Sequence, residues 1–354
     1  MAYSTVNKSS DYFNTVIYSG NSSNNRTISG FGFNPDFVWV KCRGNTFSNT
    51  VNDIIRGTNA NQFINETTEE VDPTSDIGNG GIGQVTTDGF IAVQGTSSMN
   101  NTNVSGEDYA SWAWKANGSG VSNSDGSITS TVSANTTSGF SIVSWTGTGS
   151  AATVGHGLGA VPKFITVKNR GSGGWSWYTY HQGLGNDKHA YLNNSDVPVT
   201  SSTVWNTTTP TSSVFSLGTN GGLNGSGNNY IAYCFADVPG FSKSGTFIGN
   251  GSSSAPTFVY TGFKPKFVIV RNISQSDHWF VHDNKRDGYN DDNEYLFTSL
   301  TQAEGTNVNR ISLYSNGFNV PTTDKSHNVN GNNYIYLAFG QTIASSNGTP
   351  ATAR

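Results

Sequence analysis

The sequence predicts an all-β chain built from three tandem antiparallel β-sandwich repeats. Three observations carry that expectation. A proline-led strand occurs three times, as Asn34-Pro-Asp-Phe-Val-Trp-Val-Lys-Cys-Arg43, Val161-Pro-Lys-Phe-Ile-Thr-Val-Lys-Asn-Arg170 and Lys264-Pro-Lys-Phe-Val-Ile-Val-Arg-Asn-Ile273. The 42 glycines, with abundant Asn, Ser and Thr, punctuate short β-rich runs and supply the residues that tight turns require. Stretches with helical periodicity or helix-favouring composition are missing.

Each repeat shows four landmarks in one order. The first is an opening strand at Tyr12–Gly20, Gly139–Gly147 and Gly240–Gly249. The proline-led strand follows. Proline cannot donate to a ladder, so it belongs at a strand start or an irregularity. Beyond it the apolar residues fall on both faces, with Val38 and Val40 opposite Phe37 and Trp39, which predicts a central, buried strand. The base on this strand (Lys41, Lys168 or Arg271) is expected to reach an internal or edge carboxylate. The third landmark is a short apolar strand at Asp88–Val93, Ser213–Leu217 and Asn316–Val320. Last comes a glycine turn feeding an aromatic strand, at Ser105–Trp114, Ser226–Phe235 and Asn330–Phe339. Gly106, Gly227 and Gly331 stand where a tight hairpin needs positive φ. One face of that strand is large (Ala110, Trp112 and Trp114 in the first copy) and the other is mostly small, as suits a strand packed on a sheet on one side and a close neighbour on the other.

These landmarks divide the chain into a first repeat with an N-terminal arm at 1–115, a second repeat at 138–238 and a third at 239–341. Residues 116–137 are rich in Gly, Ser and Asn and read as a flexible linker with one extra strand at Ile128 to Val132. The junction near Val238-Pro-Gly240 is short, so the second and third repeats are expected to be held together. Residues 342–354 read as a small, polar tail.

Composition narrows the function classes. Charged residues are 12% of the chain, about half the usual share, and the net charge of −4 is spread without a block. That leaves no electrostatic footprint for nucleic acid or anionic membranes. No apolar run approaches the roughly 20 residues that span a bilayer, and the polar N-terminus lacks an apolar signal core. Cys42 and Cys234 fall in different repeats and strand types and read as small core residues.

Chemistry-bearing candidates are few. His278 and His282 flank a strand-like Trp279-Phe-Val281; four residues of strand span roughly 13 Å, too far for one ion. Asp287, Asp291, Asp292 and Glu294 offer oxygen ligands for Ca²⁺, but their order departs from an EF-hand loop and Lys285 and Arg286 offset the charge. An Asp with a downstream Arg recurs at Asp53-Ile-Ile-Arg56, which favours a structural pair. No other cofactor is expected. Nucleophile elbows, phosphate loops and zinc motifs do not occur, and Glu107-Asp108 becomes Asn228-Asn229 and Asn332-Asn333 in the other copies, so the chain is not expected to be an enzyme. Trp175, Trp177, Tyr178 and Tyr180 form the one aromatic cluster in a variable stretch. They suit either a sugar-stacking surface or the core of the second repeat. Binding is expected in the stretches that differ between copies, at 44–84, 171–212 and 274–310.

The four landmarks together resemble a family of virion structural proteins of marine tailed bacteriophages, often described as tail fibre-like. The resemblance runs from about Asp11 to the end and rests on Gly32-Phe-Asn-Pro-Asp-Phe-Val-Trp-Val-Lys41, on Asn330-Gly-Asn-Asn-Tyr-Ile-Tyr-Leu-Ala-Phe339 and on the closing Pro350-Ala-Thr-Ala-Arg354. It implies jelly-roll, concanavalin A-like sandwiches, and it transfers no catalytic residues. The expected role is a tail fibre or tail-associated protein of the virion that contacts the host surface. A capsid decoration or tail adaptor protein is the alternative, and a lectin-like module or depolymerase ranks below both. The expected partners are other virion proteins, further copies of the chain in a trimer and a host-surface glycan. The expected location is the virion, after assembly in the host cytoplasm. Against a fibre stands the lack of a coiled coil or collagen-like stretch.

Overall fold

The computed structural model describes residues 4–72, 80–95, 102–171, 173–286, 290, 294–306 and 308–342. The first repeat contains β1 (Phe13–Ser19), β2 (Arg26–Ser29), β3 (Phe37–Cys42), β4 (Thr50–Asp53), β5 (Gln62–Phe63), β6 (Gly81–Thr86), β7 (Gly89–Val93) and β8 (Asp108–Trp114). Two strands follow, β9 (Val121–Asn123) and β10 (Ser130–Asn135). The second repeat contains β11 (Phe140–Thr146), β12 (Ala152–Gly155), β13 (Pro162–Asn169), β14 (Tyr178–His181), β15 (Lys188–Tyr191), β16 (Val199–Thr200), β17 (Val214–Leu217) and β18 (Asn229–Ala236). The third contains β19 (Ser242–Ile248), β20 (Phe258–Tyr260), β21 (Phe263–Asn272), β22 (Phe280–Asp283), β23 (Leu296–Phe297), β24 (Ser312–Tyr314), β25 (Gly317–Asn319) and β26 (Asn333–Thr342).

The fold is all-β and antiparallel, and one strand order recurs. The large sheets run β1-β8-β3-β4-β5 and β19-β26-β21-β22-β23, and the sheet of the second repeat contains β11-β18-β13-β14-β15. In each, the proline-led strand lies beside the aromatic strand. Smaller sheets, β2-β7-β6, β12-β17 and β20-β25-β24, form the second layer. Pro162 and Pro265 stand at register shifts, between Pro162 and Phe164 and between Pro265 and Phe267. A residue without an N–H fits where the ladder skips.

The two apolar faces of the proline-led strands serve two different cores. Val38 and Val40, Ile165 and Val167, and Val268 and Val270 point into the core of their own repeat. Phe37 and Trp39, Phe164, and Phe267 and Ile269 point into a core shared by all three repeats. The large faces of the aromatic strands meet them there: Trp112 and Trp114, Tyr233 and Phe235, and Leu337 and Phe339. Ring contacts cross every boundary. Phe37 lies 4.2 Å from Tyr233, Phe235 5.6 Å from Phe339, and Phe13 5.3 Å from Phe339. The repeats therefore close around one aromatic centre and do not stand in a row.

Hydrogen bonds close the ring in one rotational sense. Lys41 Nζ donates to Phe47 O at 2.5 Å and to Thr301 O of the third repeat at 2.7 Å. Lys168 Nζ donates to Trp175 O at 2.8 Å and to Thr67 O of the first repeat at 3.1 Å. Arg271 donates to Tyr191 O and Asp196 O of the second repeat. These bases meet backbone carbonyls, not the carboxylates expected of them. A second set runs in the same sense, from the aromatic strand of one repeat to the end of β4, β14 or β22 in its neighbour: Tyr233 donates to Asp53 at 2.8 Å, Trp112 Nε1 donates to Asp283 at 3.1 Å, and Tyr336 O lies 3.1 Å from His181 Nε2. The recurrent Asp–Arg pairs are present, Asp53 with Arg56 and Asp283 with Arg286.

Residues 116–137 are not a flexible linker. Their strands β9 and β10 extend the sheet of the second repeat, with β10 pairing along β11 from Thr131↔Ser144 to Asn135↔Phe140. The extra strand begins at Ser130, and Ile128 makes a separate parallel bridge to Val154. Cys42 and Cys234 are buried free thiols. His282 pairs with His327 at 3.0 Å and not with His278. The tail from 343 onward lies outside the described residues.

Candidate functional site

Most of the sequence-predicted site residues are structural. Trp177, Tyr178 and Tyr180 are buried. Trp177 lies in the shared core and donates Nε1–H to Phe63 O at 2.9 Å, while Tyr178 and Tyr180 fill the second repeat's own core. Trp175 is half-buried against that core, and its carbonyl is held by Lys168. The aromatic pattern of this stretch therefore corresponds to the core reading, and no sugar-stacking face forms there. Asp287, Asp291 and Asp292 lie outside the described residues. Glu294 sits 2.7 Å from Arg43, and burial with the neighbouring Glu304 pushes its carboxyl up to about 7. Among the described residues no group of three or more His, Cys, Asp or Glu side chains is placed to hold a metal.

The site arises from the ring geometry. β1 and β19 are the outer strands of their sheets, whereas β11 is covered by β10. Beside β19 lies the turn after β14, and beside β1 lies the turn after β22. Each meeting leaves a notch between neighbouring repeats. At the third junction Ile54 and Ile55 pack on the shared core, and Ile55 also packs against Gly120, in the segment leading to β9.

The notch beside β19 is a groove of about 540 Å³, within the general size range of ligand sites. Its floor is Ser244, Gly245 and Tyr336, one wall is Gln182 and Gly183, and the other is Phe258 to Tyr260 of β20. The two glycines are required by close approach: a Cβ on Gly245 would meet the Tyr336 hydroxyl at 2.5 Å, and one on Gly183 would meet Thr246 Cγ2 at 2.3 Å. Gln182 Nε2 donates to Ser244 O at 2.8 Å, which caps part of the strand edge and joins the two repeats.

Aromatic and polar groups converge here. Phe258 and Tyr260 are 48% and 55% exposed, values unusual in a chain whose aromatics are mostly buried. Lys243 Nζ donates to Tyr260 O at 2.8 Å and stands 5.5 Å from the Tyr260 ring centre. Asp237 accepts from Ser244 N at 2.7 Å. Burial pushes the Asp237 carboxyl up from its ordinary value, against the pull of that N–H and of Lys163 and Lys243. Ser244 Oγ is buried and makes no hydrogen bond among the described residues. Exposed rings beside an acid, an ammonium and an amide can cover the apolar face of a sugar and bond its hydroxyls. Asp237 is the one carboxylate among the lining residues, whereas glycosidic cleavage by the usual route needs two.

Only Gln182 and Gly183 fall within the stretches expected to bind. Asp237, Lys243, Phe258 and Tyr260 were missed because alternation cannot tell an outward ring from a core ring. Their one sequence signal is that Phe258-Val-Tyr260 places both rings on the same face.

No curated protein and no solved structure matches the chain. A family model described as a domain of unknown function, DUF7483, matches residues 8–342, across all three repeats; the chain belongs to that family.

Proposed function

We propose that the chain is a virion structural protein of a tailed bacteriophage, a tail fibre or tail-associated protein, and that the groove beside β19 contacts a glycan of the host surface. The observation that carries the binding part is the exposed Phe258–Tyr260 pair beside Asp237, Lys243 and Gln182 in one groove. The virion part rests on the sequence resemblance. Low charge suits the role, because salt screens exposed charges and leaves shape, rings and amides to select the ligand. The groove binds without turnover.

The capsid decoration or adaptor reading draws on a different observation. One chain already builds a closed, threefold-like ring, a shape suited to capping a site of threefold or local threefold symmetry, and a homotrimer is not needed to complete its core. Imaging intact particles decides between the two positions: density at the tail supports the first reading, and density on the head surface supports the second. For the groove, the full chain is titrated with host-surface polysaccharide fragments. Tyr260→Ala is expected to weaken binding about tenfold or more, equivalent to about 1.4 kcal/mol. Unchanged affinity in that variant would remove the groove from the proposal.

A further inference from the structure

The notch beside β1, between the third and first repeats, is chemically unlike its counterpart. It encloses about 280 Å³ and is lined by Ser10, Phe13, Asn14, Thr15, Lys266, Asn284 and Lys285. Counting from the paired strands, Phe13 opposite Trp114 matches Ser242 opposite Phe339. Lys8 precedes Phe13 by the interval at which Asp237 precedes Ser242, so a lysine stands where the other notch has its acid. Asp53, His181 and Asp283 close equivalent strands, so Lys285 likewise stands where the other notch has Gly183.

The result is a concentration of positive charge. Lys266 is partly buried, and among the described residues its hydrogen-bond partner is Ser9 Oγ at 3.0 Å, itself bonded to Gln341 at 2.6 Å. Burial lowers its ammonium below the ordinary value, and the charged neighbours acting on it, Lys285, Lys264 and Lys8, push in the same direction. Asp11 is paired with Lys8 at 2.7 Å. Ser10, Thr15, Asn14 and Asn284 add hydroxyl and amide groups to the wall. A half-buried ammonium facing other ammoniums is costly unless an anion joins them. The cavity is wide enough for a tetrahedral oxyanion with a small substituent.

We propose that this notch is an anion site that takes a phosphate or sulfate group, with Lys266 and Lys285 as its principal ligands. It is separate from the β19 groove and does not depend on that groove binding a glycan. The group could arrive as a free ion or as an ester on a sugar. Lysine ammoniums serve as point-charge donors to such oxygens.

The test is calorimetric titration of the full chain with sodium phosphate, glucose 6-phosphate and glucose, against sodium chloride at matched ionic strength. Saturable binding of phosphate or glucose 6-phosphate, with none of glucose, is the expected result. Tighter binding of the ester than of the free ion identifies a sugar-borne group, and the reverse identifies the free ion. Lys285→Met removes an exposed side chain, so folding is retained, and it is expected to weaken binding at least about fivefold. Lys266→Met should weaken it further, and Lys188→Met, at an exposed lysine on β15, should leave it unchanged. Phosphate heats indistinguishable from chloride, or wild-type affinity in Lys285→Met, would overturn the assignment.

Discussion

At the scale of single residues, the ring is held by buried bases that donate to carbonyls. Burial lowers Lys41 and Lys168 to about 8, below the roughly 10.4 of an unfolded lysine. Between those values the unfolded chain holds more protons than the folded one. Their contribution is therefore present at high pH and is lost as pH falls through about 8. Tyrosines act in the opposite sense above about pH 10, where unfolded tyrosine ionises while buried Tyr178 is held up to about 12. The Cys42 and Cys234 thiols, raised by burial, also oppose the lysines once unfolded cysteine ionises near about pH 8.5. The urea midpoint is thus expected to rise from about pH 7.5 to about pH 8.5, to level off, and to fall above about pH 10. Lys41→Met should flatten part of that rise. At about pH 9.5 it should also cost about 1–3 kcal/mol, because the Phe47 and Thr301 carbonyls lose their donor. An unchanged slope in the variant would show that Lys41 does not carry the effect. The sequence located these bases on buried strands but pointed them at carboxylates. A carbonyl acceptor has no residue-type signature, so its identity was illegible. The Asp53–Arg56 pair was legible, because both partners are side chains at a short, recurring spacing.

At the scale of elements, the proline-led and aromatic strands were legible because apolar residues on both faces are visible in the sequence. What the pattern could not say is that the second face belongs to a core shared between repeats. Residues 116–137 were misread for a related reason: their polar, Gly-rich composition resembles a tether, while their pairing partner β11 lies further along the chain. β10 shields the edge of β11, and Val132 is buried in the second repeat's core. Val132→Pro removes a ladder donor and buried methyl groups, with an expected cost of at least about 2 kcal/mol. Hydrogen exchange should quicken along β11. A mere tether would tolerate the change within about 0.5 kcal/mol, so near-wild-type stability with unaltered exchange would return the segment to a linker role. The exposed edges of β1 and β19, left without such a cover, are what create the two notches.

At the scale of the whole molecule, one shared core makes the repeats interdependent. Truncating any repeat would expose rings such as Phe37, Phe235 or Phe339 to water. Loss of one repeat's stability should therefore unfold all three, and acid provides the means to test this. All six histidines are lowered, foremost by burial, with His181 and His189 lowered to about 4. An unfolded histidine titrates near about 6.5. Between these values the unfolded chain binds more protons, so stability present above about pH 6.5 is lost as pH falls toward about 4. Glu294, raised to about 7, and Asp36, Asp237 and Asp277, raised by burial, work in the opposite sense, but they are four groups against six. The buried His282–His327 pair, with Nε2 atoms 3.0 Å apart, adds charge repulsion if both rings protonate. These histidines are spread over the second and third repeats. Even so, the first repeat's Trp39 and Trp112 should lose their buried environment at the same pH as the rest. Tryptophan fluorescence and far-ultraviolet circular dichroism should then report one coincident acid transition. Separate transitions for the repeats would show that the aromatic centre does not couple them, and a midpoint in urea that stays flat from about pH 6.5 to about pH 4.5 would show that the histidines do not set the acid limit.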